Sequence, residues 1–135
     1  METAAARSPR SGSSPLLMSG TVAGAGLIVT TAVIHLHLWL AGYRHVPKLD
    51  VAFMGQAVSG FILAAVMLAW RRPEVLGLGA LYMAGSAGAL VLSATVGFLG
   101  IHDGFGVPWA GWSLGVELAG VVVMGGAAGS VLLAR

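Results

Sequence analysis

The stretch 112–134, WSLGVELAGVVVMGGAAGSVLLA, holds a single charged residue, Glu117. A helix rises 1.5 Å per residue, so a run of this length crosses a hydrocarbon core about 30 Å thick. The run is too long for a strand, and it lacks the period of two that a membrane barrel strand shows. It reads as a transmembrane helix. The rest of the chain must then be searched for others of its kind between charged breaks.

Three more runs qualify, at about 18–41, 51–70 and 75–100. The sequence therefore predicts an all-α membrane protein, with four transmembrane helices in an antiparallel bundle spanning 17–135. Composition agrees: 57% of the 135 residues are hydrophobic and 9% are charged, against about 25% charged in an ordinary soluble domain. Mean hydropathy is +0.89. With no cysteine, a disulfide scaffold, a cysteine-ligated metal and a thiol nucleophile are excluded.

Ahead of the first run lies METAAARSPRSGSSP, which has little apolar surface to bury, so 1–16 are expected to be a disordered cytoplasmic tail. Its two arginines before an apolar stretch also suit a signal peptide. The stretch is long for a signal core and no small-residue cleavage pattern ends it, which favours a retained first helix.

The formal charge is +2 and the pI about 9.7. The basic residues are scattered between apolar blocks and form no stripe interleaved with aromatics, so nucleic acid is not an expected partner. They read as topology signals. Arg7, Arg10, Arg71, Arg72 and Arg135 fall on one side, and Arg44 and Lys48 on the other. Under the positive-inside rule both termini are cytoplasmic, in a plasma membrane. Trp39, Tyr43, Trp70, Trp109 and Trp112 fall at helix ends, the level of the headgroups.

The short turn Arg71-Arg72-Pro73-Glu74 is expected to join the second and third helices as an antiparallel hairpin, with Pro73 in a first turn where a missing N–H costs nothing. Two His-containing loops, at Gly42 to Pro47 and Gly100 to Pro108, suggest a repeat of two hairpins. Small residues four apart, Gly20 with Gly24, Gly111 with Gly115 and Gly125 with Gly129, are expected to let helix backbones approach closely.

Within the spans a few polar side chains stand out: His35 and His37, Gln56, Thr95 and Glu117. Counted from the outer helix ends, His35, Gln56, Thr95 and Glu117 fall roughly 7–9 Å deep, which predicts one polar layer contributed by all four helices. An ionised carboxylate in hydrocarbon costs several kcal/mol, so Glu117 demands a partner, a cavity or a proton. Ser113, Gly120 and Met124 continue its face toward the bundle interior. His35 is the expected inward partner, because His37 points about 200° away. That spacing is poor for a metal, where i and i+4 are wanted, and no metal is expected. A haem held by His35 and His102 would place one ligand at a helix end. In the outer loops Arg44, His45, Lys48, Asp50, His102 and Asp103 are candidates for an anionic headgroup or a quinone. No phosphate loop, nucleophile elbow or HExxH is present, so no enzyme activity and no cofactor are expected.

The block His35-Leu-His-Leu-Trp-Leu-Ala-Gly-Tyr-Arg-His-Val-Pro47 resembles the opening of small uncharacterised four-helix integral membrane proteins of high-GC actinobacteria. Thr95-Val-Gly-Phe98 and Trp112-Ser-Leu-Gly-Val-Glu117 are similar to their third- and fourth-helix regions, with Ala94 where those proteins carry an arginine. The resemblance implies location and fold. It transfers no catalytic residue. The expected function is a non-enzymatic accessory or assembly subunit of a larger membrane complex, partnered by the lipid bilayer and by another membrane protein or a second copy. Two alternatives are a small oligomeric proton-coupled transporter using Glu117 and His35, and a haem- or quinone-binding redox subunit.

Overall fold

The computed structural model describes residues 13–102 and 104–135. The expected tail lies outside the described residues as far as residue 12. The described residues form four helices, α1 (Ser13–Ala41), α2 (Leu49–Ala69), α3 (Pro73–Thr95) and α4 (Ala110–Leu133), with one 3-10 turn at Tyr43–His45. Each helix contains a span long and apolar enough to cross a membrane.

The helix boundaries follow local chemistry where they depart from the apolar runs. Residues 13–16, expected in the tail, are helical; Pro15 sits in the first turn of α1, where backbone N–H groups have no partner in any case. Pro73 opens α3 in the same way. The third run, expected to continue to Gly100, stops at Thr95. Gly97, at φ +87°, closes the helix by donating to the Leu92 carbonyl at 2.8 Å. A tight turn follows, in which Phe98 and Ile101 exchange two backbone hydrogen bonds. Leu99 and Gly100 between them both have positive φ, the mirror-image geometry of a two-residue hairpin loop.

α2 packs along α1, α3 packs along α4, and α1 and α4 form the contact between the two pairs. α2 and α3 are joined by a short turn yet barely touch. The expected hairpin is thus a chain connection rather than a packed pair. A repeat of two equivalent hairpins would match the α2–α3 contact to the α1–α4 contact, and the two differ strongly.

Packing is uneven along the bundle. Toward the Arg71 end, Ile28, Met67, Leu76, Met83 and Met124 form a buried core. Small residues bring the backbones together there: a Cβ on Gly20 would lie 2.7 Å from the Ala127 Cβ, and one on Gly24 2.5 Å from the Met124 Cγ. Gly111, Gly115 and Gly129, by contrast, face open space. At this end Arg135 donates to Glu74 at 2.7 Å in an exposed ion pair. Outward-facing Val22, Ile62, Leu81, Val122 and Leu133 give the bundle an apolar exterior, as a protein solvated by lipid requires. Toward the other end the core gives way to a cavity.

Candidate intramembrane binding site

Glu117 is 1% exposed and sits on the inner face of α4 with Ser113, Gly120 and Met124, all buried. Its Oε1 accepts three hydroxyl hydrogen bonds: from Thr31 of α1 at 3.1 Å, from Ser86 of α3 at 2.5 Å and from Ser113 of its own helix at 3.1 Å. Its Oε2 is buried and has no partner among the described residues. One oxygen therefore ties α1, α3 and α4 together, and the other is left over.

α2 joins through Gln56, whose amide nitrogen donates to the Ser86 Oγ at 2.9 Å. The Tyr82 hydroxyl donates to the Gln56 backbone carbonyl at 2.6 Å. Glycine at position 60 permits this approach, because a Cβ there would lie 3.0 Å from the Tyr82 hydroxyl and from the Ala32 Cβ. The clasp holds α2 to α3 at one level. Beyond it, toward the Gly42 end, the two helices leave between them a cavity of about 470 Å³.

The cavity floor is polar, made by His35, Gln56, Tyr82, Ser86, Ser113 and Glu117; its walls and roof are largely apolar and aromatic, with Phe53, Phe98 and Trp109 among them. The His35 ring stacks edge-on to Phe53 at 5.3 Å, and Tyr43 lies against the same Phe53 at 4.8 Å. The His35 Nδ1 lies 2.8 Å from the Thr31 carbonyl. A carbonyl only accepts, so Nδ1 carries the proton, and in the neutral ring Nε2 is an acceptor. Leu99 and Trp109, both held at positive φ, line the roof. Such strained backbone in non-glycine residues collects at functional sites. Lys48, also at positive φ, bridges to the Leu99 carbonyl at 3.1 Å and ties the first loop to the third.

The structure brings together three members of the expected polar layer, His35, Gln56 and Glu117. It corrects the fourth. The Thr95 hydroxyl bonds back to the Val91 carbonyl of its own helix and is exposed; α3 contributes Ser86 and Tyr82 in its place. His35 reaches Glu117 through Thr31, whose hydroxyl lies 3.4 Å from Nδ1. His37 points away, as expected, and packs edge-on against Trp109. The outer-loop candidates do not converge on the cavity. Arg44 donates to its neighbour His45, His102 contacts the Thr95 carbonyl, and Asp103 lies outside the described residues. Neither His45 nor His102 lines the cavity beside His35, so the histidine pair of the haem reading is not assembled. Among the described residues no group of three side chains is placed to hold a metal ion.

No protein-family model, curated protein or solved structure matches the chain. Fold and surface define its class: it is a small multi-pass membrane protein of four helices.

Proposed function

We propose that the chain is a binding or transport protein for an amphipathic small molecule, taken up in the cavity between α2 and α3. One observation carries this reading: among four helices long and apolar enough to cross a membrane, a cavity of about 470 Å³ combines a polar floor with apolar walls. That volume lies within the range of small-molecule sites, about 300–1,000 Å³, and a few polar groups on an apolar lining is their usual character. The accessory-subunit expectation rested on small size and missing motifs; the cavity supports a role this chain performs itself. Proton-coupled transport is the second reading, favoured by the placing of His35 beside Thr31, whose hydroxyl donates to Glu117. It requires that uptake into sealed proteoliposomes respond to an imposed pH gradient.

Ala89 lines the α3 wall away from the hydrogen bonds of the floor. Ala89→Phe should fill the cavity and reduce binding of a neutral amphiphile such as para-butylbenzyl alcohol by about tenfold or more, while the melting temperature stays near that of the parent. Undiminished binding by a folded Ala89→Phe protein would place the ligand elsewhere.

The five-to-two distribution of basic residues supports an orientation with both termini cytoplasmic, so that the Gly42 end and its cavity face outward, and a plasma-membrane setting is proposed with it. Cysteines introduced at Lys48 and Gly106 should react with an impermeant thiol reagent in intact cells, and one at Ser13 should not. Labelling at Ser13 in sealed cells reverses the orientation.

A further inference from the structure

We infer that the occupant of this cavity is a lipophilic ammonium, a protonated primary or secondary amine on an apolar body, held by the unpartnered Oε2 of Glu117. The inference rests on the reading of the cavity as a small-molecule site and adds the chemistry of the head group.

The case is an accounting of donors and acceptors on the floor. The donors present are directed at protein acceptors, apart from the second N–H of the Gln56 amide. The Thr31, Ser86 and Ser113 hydroxyls donate to the Glu117 Oε1, the Tyr82 hydroxyl to the Gln56 carbonyl, the Gln56 amide to Ser86, and the His35 Nδ1 to the Thr31 carbonyl. The acceptors left over are the Glu117 Oε2, which is fully buried, the Nε2 of a neutral His35 and the side-chain oxygen of Gln56. A buried acceptor without a donor is costly, and a carboxylate oxygen is the costliest of them. Three hydroxyls hold the carboxylate by its other oxygen, so Oε2, enclosed by its surroundings, is the atom that a donor drawn down onto the floor would meet. A head group that brings its own N–H donors and a positive charge suits a floor with acceptors to spare, the carboxylate oxygen first among them. A quinone or carboxylate head brings more acceptors instead.

Charge points the same way. Among the described residues no lysine or arginine lines the cavity, and Glu117 is its one acidic residue. The charged and titratable side chains that face it are His35 from α1, Tyr43 from the 3-10 turn, Tyr82 from α3 and Glu117 from α4, with none from α2. An anion would therefore meet no counter-charge. The Tyr43, Phe53 and Trp109 rings on the walls and roof offer faces that attract a cation, and the apolar remainder suits an alkyl or aryl tail.

The test uses the full chain in mild-detergent micelles and four probes that share one body: para-butylbenzylamine, para-butylbenzyl alcohol, para-butylbenzoate and para-butyltoluene. Partitioning of each probe into protein-free micelles is measured separately, and its concentration is expressed as the micelle-bound ratio to detergent. Binding is read by calorimetric titration. The amine should bind about tenfold or more tighter than the alcohol, since a charged hydrogen bond contributes more than a neutral one, and the benzoate weakest. Glu117→Gln keeps an oxygen for the three hydroxyls and places an NH2 donor at the position of Oε2. The preference for the amine over the alcohol should then disappear. Equal binding of amine and alcohol by the parent protein, tighter binding of the benzoate, or an amine preference that survives Glu117→Gln overturns the ammonium assignment and leaves the cavity reading standing. Failure of all four probes to bind overturns both. The order of the probes on the parent protein decides the matter even if Glu117→Gln fails to fold.

Discussion

Gly20→Leu should destabilise the bundle by about 3 kcal/mol or more, an overpacking penalty at the upper end of those seen in well-packed cores. The first atom added already creates the conflict, because a Cβ on Gly20 lies 2.7 Å from the Cβ of Ala127. That partner is fixed to its backbone and cannot rotate away. α1 and α4 must separate, and they form the contact on which the two helix pairs meet. One turn on, Gly24 faces Met124, and Gly120 on α4 faces the Met83 side chain. Methionine has rotatable bonds and yields more readily, so Gly24→Leu and Gly120→Leu should cost less than Gly20→Leu. Gly26 faces open space on the same helix as Gly20. Gly26→Leu should change stability by no more than about 0.5 kcal/mol, or raise it slightly through helix propensity. The measurement is unfolding in mixed micelles by added denaturing detergent, followed by tryptophan fluorescence. Equal midpoints for Gly20→Leu and Gly26→Leu would show that α1 and α4 do not meet at this point.

The four helices were legible because each crosses the bilayer as a long apolar run, a signal that depends on length and composition alone. The interior face of α4 was legible too: Ser113, Glu117, Gly120 and Met124 recur at helical spacing, and all are buried. The Gly20–Gly24 pair was read correctly as a close contact. Gly111 with Gly115 has the same spacing and faces open space, since spacing marks a smooth face without saying what lies against it. The end of α3 was misread because apolar residues continue past Thr95, and the stop is made by the backbone conformation of Gly97. Ser86 and Tyr82 were missed for a related reason. In a helix rich in glycine and alanine a serine reads as packing, and only the spacing of four residues from Tyr82 to Ser86 placed the two on one face. The cavity had no sequence signal at all, because it arises from α2 leaning on α1 while α3 leans on α4.

Removing the three hydroxyls that bind Glu117 should harm the protein more than removing Glu117 itself. Glu117→Leu deprives Thr31, Ser86 and Ser113 of their shared acceptor, but a hydroxyl on a helix can turn to the carbonyl four residues back, as Thr30, Ser59 and Thr95 already do here. Hydrogen bonds between helices in a membrane average only about 0.6 kcal/mol, and two of the three run between helices, so a loss of about 1 kcal/mol is expected. At a pH where it stays ionised, the carboxylate has no such escape. In the triple variant Thr31→Val, Ser86→Ala, Ser113→Ala it stays buried with no donor, and stranding a buried charge costs about 3–5 kcal/mol. Adding Glu117→Leu to the triple variant should therefore restore stability, a coupling opposite in sign to the single effect. His35→Leu should couple to Glu117→Leu more weakly than Thr31→Val does, because Thr31 stands between the two. Glu117→Gln should stay within about 1 kcal/mol of the parent, since its amide oxygen accepts the same hydroxyls. If Glu117→Leu instead lowers the stability of the triple variant by as much as it lowers that of the parent, the hydroxyls are not what holds the carboxylate, and Oε1 is not the anchored oxygen that leaves Oε2 for a ligand.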